Sequence, residues 1–231
     1  MSYDRSKVTI VIPTKDEGEG ISKILRSVRP YANEIIVVDG HSKDNTKKIA
    51  LKEGAKFILD NGLGRGDGVR LGIKAAKGEV VVLFDADGSH EAKDIPKFIL
   101  PILQKMSDLV IGSRRTGGSF DINMNFTGII RSAGSDFLVS LVNHKFKTNL
   151  SDILYSFRAI RKSAAEKINI ISNDFCVEQE MVVKCLKKGF KILEIPSREK
   201  ARAWGKSKLH TLTGIKFFFM LLKDLYLSPD L

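Results

Sequence analysis

Short, unbroken apolar runs, each closing on a polar residue, constrain this chain more than any other feature. They are "VTIVIP" (Val8–Pro13), "EIIVVD" (Glu34–Asp39), "AKFIL" (Ala55–Leu59), "EVVVLFD" (Glu79–Asp85) and "DLVIGS" (Asp108–Ser113). A strand with one wet face alternates apolar and polar residues; a strand apolar throughout is covered on both faces. Segments of helical periodicity separate the runs: Gly20–Val28, Lys43–Glu53, Gly68–Lys77 and Ile95–Lys105. This alternation predicts an α/β domain on a mostly parallel sheet flanked by helices. Such sheets bind ligands beyond the carboxyl ends of their strands. Function is therefore expected in "PTKDEGE", "DGHSKDNT", "DADGSH" and "GSRRTGG".

Beyond Gly118 the pattern loosens. Asn123–Asn143, Ser163–Ile168 and the amphipathic Glu178–Lys188 read as helices, and "KILEIP" (Lys191–Pro196) as one more strand. The tail Leu209–Leu227 is strongly apolar and approaches the roughly 20 residues that span a bilayer. Lys216, Lys223 and Asp224 interrupt it, and a charge at mid-membrane costs about 2.5–3.5 kcal/mol, so a span is rejected. An interfacial helix and a packed core helix both remain. Leu212, Ile215, Phe218, Phe219 and Leu222 have the spacing of one apolar face. The expected division is thus 1–208 for a catalytic domain and 209–231 for a C-terminal amphipathic helix.

Asp85 and Asp87 stand one residue apart where the fourth run ends. Like charges so placed require a positive partner. A hard dication, Mg²⁺ or Mn²⁺, binds one or two carboxylates and completes its shell with water and phosphate oxygens. A solvated turn with a capping Asp is the bland account of the same residues. Asp39 closes the second run, where helix capping gives no reason for a carboxylate; there it can accept from a nucleobase N–H or a ribose hydroxyl. Glu17 follows the first run in the same manner. "NGLGRGDG" lacks the G-x-G-x-x-G spacing, and "WGKSK" lacks the glycine and the strand of a phosphate loop. His41, His90, His144 and His210 are dispersed and form no catalytic order.

Together these stretches resemble the family-two glycosyltransferases of GT-A (Rossmann-like) fold, and among them the dolichyl-phosphate and polyprenyl-phosphate sugar transferases. "VIPTKDEGEGI" resembles their opening motif, with Lys15 and Asp16 in place of Tyr-Asn and Glu17 kept. "IIVVDGHSKDNT" resembles the nucleotide-binding motif, with Gly40 where many relatives carry a second Asp. "GRGDGVRLGIKAAKGEVVVLFDADGSH", "GSRRTGGS", Arg131 with Ser135, "LSDILYSFRAIRK", "EQEMVVKCLKKGFKILEIP" and "RAWGKSKL" follow in the family's order, up to about Leu209.

The resemblance implies an inverting, metal-dependent transfer of a hexose from GDP-mannose or a UDP-sugar to dolichyl or polyprenyl phosphate. It implies that Glu17 and Asp39, with Pro13, Lys15 and Val38 beside them, hold the nucleoside. Asp85, Ala86 and Asp87 would face the donor diphosphate, with Asp85, Asp87 and Ser89 on the metal. Arg114, Arg202 and Lys208 would neutralise phosphates, and Arg131 with Ser135, four apart on a helix, would hold the acceptor phosphate. A phosphate monoester is largely dianionic at neutral pH and arrives as a nucleophile, which relaxes the need for a base. Asp87, Arg114 and Arg131 would carry the catalysis. Glu180 is the next expected participant, as base or as orienter of an arginine.

Two rivals bound this expectation. A transferase of the same fold with a soluble saccharide acceptor would need a true base. A polyanion-binding protein would explain the net charge of +11, but the lysines are spread evenly, with no basic helix interleaved with aromatics, so nucleic acid is set aside. The first residues carry no signal-peptide pattern, and two cysteines nine apart, Cys176 and Cys185, fit a reducing compartment. The expected location is cytoplasmic, peripheral on the inner face of the cell membrane.

Overall fold

The computed structural model describes residues 3–119, 126–205 and 213–227. The expected strands form as β1 (Val8–Thr14), β2 (Glu34–Asp39), β3 (Lys56–Leu59), β4 (Val80–Leu83), β5 (Leu109–Ser113) and β7 (Ile192–Pro196). A further strand, β6 (Arg158–Arg161), joins them in one seven-stranded sheet of order β3-β2-β1-β4-β6-β5-β7. All pairings are parallel except those of β6, which runs antiparallel to both β4 and β5.

Why the runs are apolar throughout is visible in the packing. Val8, Ile10 and Ile12 of β1 point into one core, and Val11 points into the other. Val80 and Val82 of β4 likewise oppose Val81 and Leu83. The first core is closed by α1 (Ile21–Val28), α2 (Thr46–Lys52) and α4 (Ile95–Leu103), through Ile24, Leu25, Ala50, Phe98 and Ile102. The second is closed by α3 (Arg65–Ala75), α6 (Phe126–Phe146), α7 (Lys162–Ile168) and α8 (Val177–Lys187), after the short α5 (Arg114–Gly117) has followed β5. With a helical layer on each side, neither face of a central strand meets water, and period-two alternation has no cause.

The C-terminal stretch is α9 (Thr213–Leu222), continued by one π-helical turn (Lys223–Leu227). The expected boundary at 208/209, with Lys208 and Leu209–Leu212, lies outside the described residues. Past it, Phe217, Leu221 and Leu225 are buried in the second core, and Gln179 of α8 donates to the Phe217 carbonyl (2.9 Å). The buried side is therefore not the one that carries Ile215 and Phe219. Ile215 and Phe219 are each 63% exposed, so the helix is core on one side and apolar toward solvent on the other. Among the described residues, no helix is long and apolar enough to cross a membrane.

Candidate active site

The strand ends β1, β2 and β4 bring Glu17, Asp39, Asp85 and Asp87 to one edge of the sheet, all but Asp85 buried. Each carboxylate has a defined partner. Arg65 Nη2 lies 2.8 Å from Asp85 Oδ1, and its Nε reaches Glu178 Oε1 at 2.7 Å. Ser156 Oγ donates to Asp85 Oδ2 (2.6 Å), and His90 Nε2 stands 3.3 Å from the same oxygen. Burial alone would raise the Asp85 carboxyl; Arg65, then His90 and Ser156, outweigh it and hold the group well below the usual carboxylate range. Arg65 is in turn held more firmly protonated, since Asp85 and Glu178 outweigh the effect of its burial.

Asp87 is held differently. Its Oδ1 accepts from the Ser89 backbone N–H (2.9 Å) and hydroxyl (2.6 Å), and its Oδ2 faces Arg202 Nη2 at 3.0 Å. Arg202 Nη1 reaches Glu17 Oε1 at 3.2 Å, so one guanidinium joins the ends of β1 and β4. The segment carrying Arg202 is laced to the Asp85–Ser89 turn. Lys200 N–H donates to Ser89 O, Ala203 N–H to Asp87 O and Trp204 Nε1 to Ala86 O, each at 2.9 Å. Two glycines admit the indole. A β-carbon on Gly20 would stand 1.7 Å from the Trp204 ring, and Gly88, at φ +78°, passes within 3.0 Å in the same sense.

Asp39 carries the next loop. Ser42 donates to it through N–H (2.9 Å) and Oγ (2.5 Å), and Thr14 Oγ1 through a 3.2 Å bond. Pro13 and Val38 pair in register beside it, while Lys15 is exposed. Arg114 begins α5 with its guanidinium bidentate on Asp152 (2.7 and 3.1 Å), over the Tyr155 ring and 3.8 Å from Glu199. Arg131 and Ser135 occupy α6 a turn apart, Arg131 exposed and Ser135 half-buried.

Two of the expected residues, Glu180 and Ser89, are engaged within the fold. Glu180 is fully buried, with its oxygens on the backbone N–H groups of Ile171 and Ser172 (2.8 Å each) and on Lys184 (2.7 Å). It clamps a loop; Glu178 is the α8 acid that orients an arginine. Ser89 gives its hydroxyl to Asp87 and so positions that carboxylate.

The donor set suits Mg²⁺ or Mn²⁺ in kind: hard carboxylate oxygens on Asp85 and Asp87, with Asp87 Oδ2 facing a counter-ion on a separate segment. Among the described residues no group of three or more His, Cys, Asp or Glu could enclose an ion, so a dication there takes most of its shell from elsewhere. Arg65, Glu178, Ser156, Asp152 and Trp204 were not singled out from the sequence. Only Arg65 carried a signal, as the single cation in the glycine-dense "GLGRGDG".

Comparison with known proteins finds relatives along most of the chain. An uncharacterized protein of Methanocaldococcus jannaschii is 33% identical over 95% of this chain and 92% of its own length. Glycosyltransferase AglJ of Haloferax volcanii is 31% identical over 82% of this chain and 62% of its own. Among solved structures, glucosyl-3-phosphoglycerate synthase from Mycobacterium tuberculosis, in complex with Mg²⁺ and UDP, superposes with a TM-score of 0.76. It is 18% identical, over 95% of this chain and 79% of that one, so the likeness is one of fold. The glycosyl transferase family 2 profile matches residues 9–169, from the first strand through α7, with every strand-end carboxylate described above inside it. With that stretch matched over most of the chain, the protein belongs to glycosyl transferase family 2.

Proposed function

We propose that the protein moves a hexose from a UDP- or GDP-linked sugar, with inversion at the anomeric carbon. The observation that carries this is the bridge Glu17–Arg202–Asp87 beside the Asp85–Arg65–Glu178 chain, at the carboxyl ends of β1 and β4. An internal cation balancing two carboxylates is a ready partner for a departing diphosphate, because turning toward it exchanges one anion for another. Glu17, Asp39 and the β1–β2 backbone at Pro13 and Val38 face the nucleoside. Arg65, Ser156 and His90 fix Asp85, and Ser89 fixes Asp87, so both acids are set before substrate arrives. A Mg²⁺ or Mn²⁺ held by Asp85 and Asp87 supplies positive charge against the diphosphate oxygens.

For the acceptor, the comparisons support a soluble molecule. The same Mycobacterium tuberculosis enzyme, with a TM-score of 0.74, is described in complex with Mn²⁺, UDP-glucose and phosphoglyceric acid. A polyprenyl phosphate at a membrane surface is a second reading, and two observations favour it. Ile129, Ile130 and Phe137 of α6 are half or more exposed, as are Ile215 and Phe219 of α9. Asp85 and Asp152 are held below the usual range and make poor proton acceptors, which suits a nucleophile that arrives ionised.

Thermal-shift screening of UDP- and GDP-sugars with and without Mn²⁺ tests the donor, since bound ligand raises stability as RT ln(1 + [L]/Kd). One donor is expected to stand out, and only with the dication; no shift with any of them would overturn the reading. Product formation with phosphoglycerate in solution, against polyprenyl phosphate in vesicles, then decides the acceptor.

A further inference from the structure

We infer that Arg70 is a positioning residue for the proposed metal site: it gathers the loop 171–175 against the start of α3, and that loop aims Arg65 at Asp85. The inference rests on the proposed role of Asp85 and adds to it a residue that acts only through another. Arg70 lies within α3 and is half-buried. Its Nη1 donates to the carbonyls of Ile171 (3.1 Å) and Ser172 (2.5 Å). Its Nη2 donates to Asn173 Oδ1 (2.6 Å) and to Asp67 Oδ1 (3.1 Å). One planar fork thus ties three successive loop residues, 101 to 103 positions away, to its own helix.

What the loop meets there is the residue that holds Asp85. Gly64 stands at the N-cap of α3 and offers no side chain to cap it. The Asn173 carbonyl does so instead, accepting from the N–H groups of Gly66 (2.9 Å) and Asp67 (3.4 Å). The approach is too close for side chains on either side of Arg65. A β-carbon on Gly66 would stand 2.1 Å from Ser172 O, and one on Gly64, at φ +121°, 2.7 Å from Asn173 O. This accounts for the glycines of "GLGRGDG", which fit no phosphate loop. Two residues on, the Phe175 ring lies beneath the Arg65 guanidinium, its centre 5.9 Å from Cζ. From behind, Glu180 accepts from the N–H groups of Ile171 and Ser172 (2.8 Å each). One loop therefore fixes Arg65 at its backbone and beneath its guanidinium, and Arg70 is the α3 side chain that draws the loop in. With the loop released, the Arg65 fork swings off its two acids and Asp85 loses its set orientation.

Solvent exchange of the Arg65 Nε–H, followed by NMR on the whole chain without metal or nucleotide, reads this directly, because that proton is held on Glu178 (2.7 Å). Arg70→Gln is expected to speed its exchange about tenfold. The indole N–H of Trp204, held on Ala86 O by another segment, should keep its rate. Mn²⁺ titrated in the presence of UDP, and separately of GDP, is expected to bind about tenfold more weakly to the variant, the lower end of the range for residues behind a metal ligand. Should Arg70→Gln fail to fold, Asn173→Ala removes the bond to Asn173 Oδ1 and is read by a smaller change in the same proton. Both N–H groups speeding alike would show a loosened fold, and an unchanged Arg65 rate would show that the core seats α3 unaided; either overturns the inference. A faster Arg65 proton with Mn²⁺ affinity intact overturns the link to the metal site. Absence of Mn²⁺ binding to the unaltered protein with either nucleotide overturns the metal role in the proposed function, while the exchange rate still decides whether Arg70 positions Arg65.

Discussion

Arg65 holds the buried Glu178 and the half-buried Asp85 with one side chain, Nη2 on Asp85 and Nε on Glu178, joining residues 20 and 113 positions away. Removing one member of such a group leaves uncompensated charge, which costs about 3–5 kcal/mol. Arg65→Met is therefore expected to lower the urea midpoint sharply, while Arg65→Lys, a single point of charge, recovers only part of it. A midpoint unchanged in both would show that Asp85 and Glu178 find other partners. The same residue shows what was legible. Asp85 and Asp87 could be found from sequence because a strand that ends in acid is a local pattern. Their partners Arg65, Ser156, Arg202 and Trp204 come from distant positions, and pairing across the fold has no local signature. For Glu180 and Glu178 the helix was legible and its face was not. Two acids two apart on a helix point different ways, and only the packing of α8 says which meets an arginine.

At the scale of elements, β6 and the buried side of α9 were illegible in the sequence for opposite reasons. "RAIR" has a charge at each end and only four residues, so no apolar run announces it. Arg158 is nonetheless fully buried, its guanidinium donating to the carbonyls of Glu178 (2.6 Å) and Tyr155; burial pushes it down to about 10. In α9 the apolar signal was strong all round, and composition could not choose the buried side. Leu221, fully buried, and Phe219, 63% exposed, separate the two sides experimentally. Leu221→Ala is expected to cost about 2–5 kcal/mol by denaturation, as large-to-small core changes do. Phe219→Ala should stay within about 0.5 kcal/mol, as for other surface positions. Similar losses at both sites would mean that the helix is not seated by the Phe217–Leu221–Leu225 face.

For the molecule as a whole, stability depends on pH through groups of opposite sign. Burial, then Glu180, raises the Asp224 carboxyl from 3.8 to about 6, with Lys184, Lys223 and Lys187 offsetting part of the rise. The folded state thus binds this proton more tightly than the unfolded chain, and stability falls as pH rises through roughly 4 to 6. Asp85 and Asp152 are lowered, so their contribution is present above the ordinary carboxylate range and is lost as pH falls below it. Asp224→Asn, which keeps the shape and removes the charge, is expected to raise the melting temperature at pH 7 and leave it little changed at pH 4. Parallel melting curves for the two proteins across that range would remove Asp224 from the account. The antiparallel β6 carries a different consequence, for the order in which the chain can assemble. β5 pairs only with β6 and β7, and β4 has no neighbour on its outer side until β6 arrives. As the chain leaves the ribosome, the half-sheet β3-β2-β1-β4 can form early, with its β4 edge, in addition to the permanent β3 edge, open for some seventy-five residues of synthesis, about four to fifteen seconds at ordinary elongation rates. An unpaired edge is a template for another chain, so the nascent protein is most exposed to misassembly between the making of Leu83 and of Arg158.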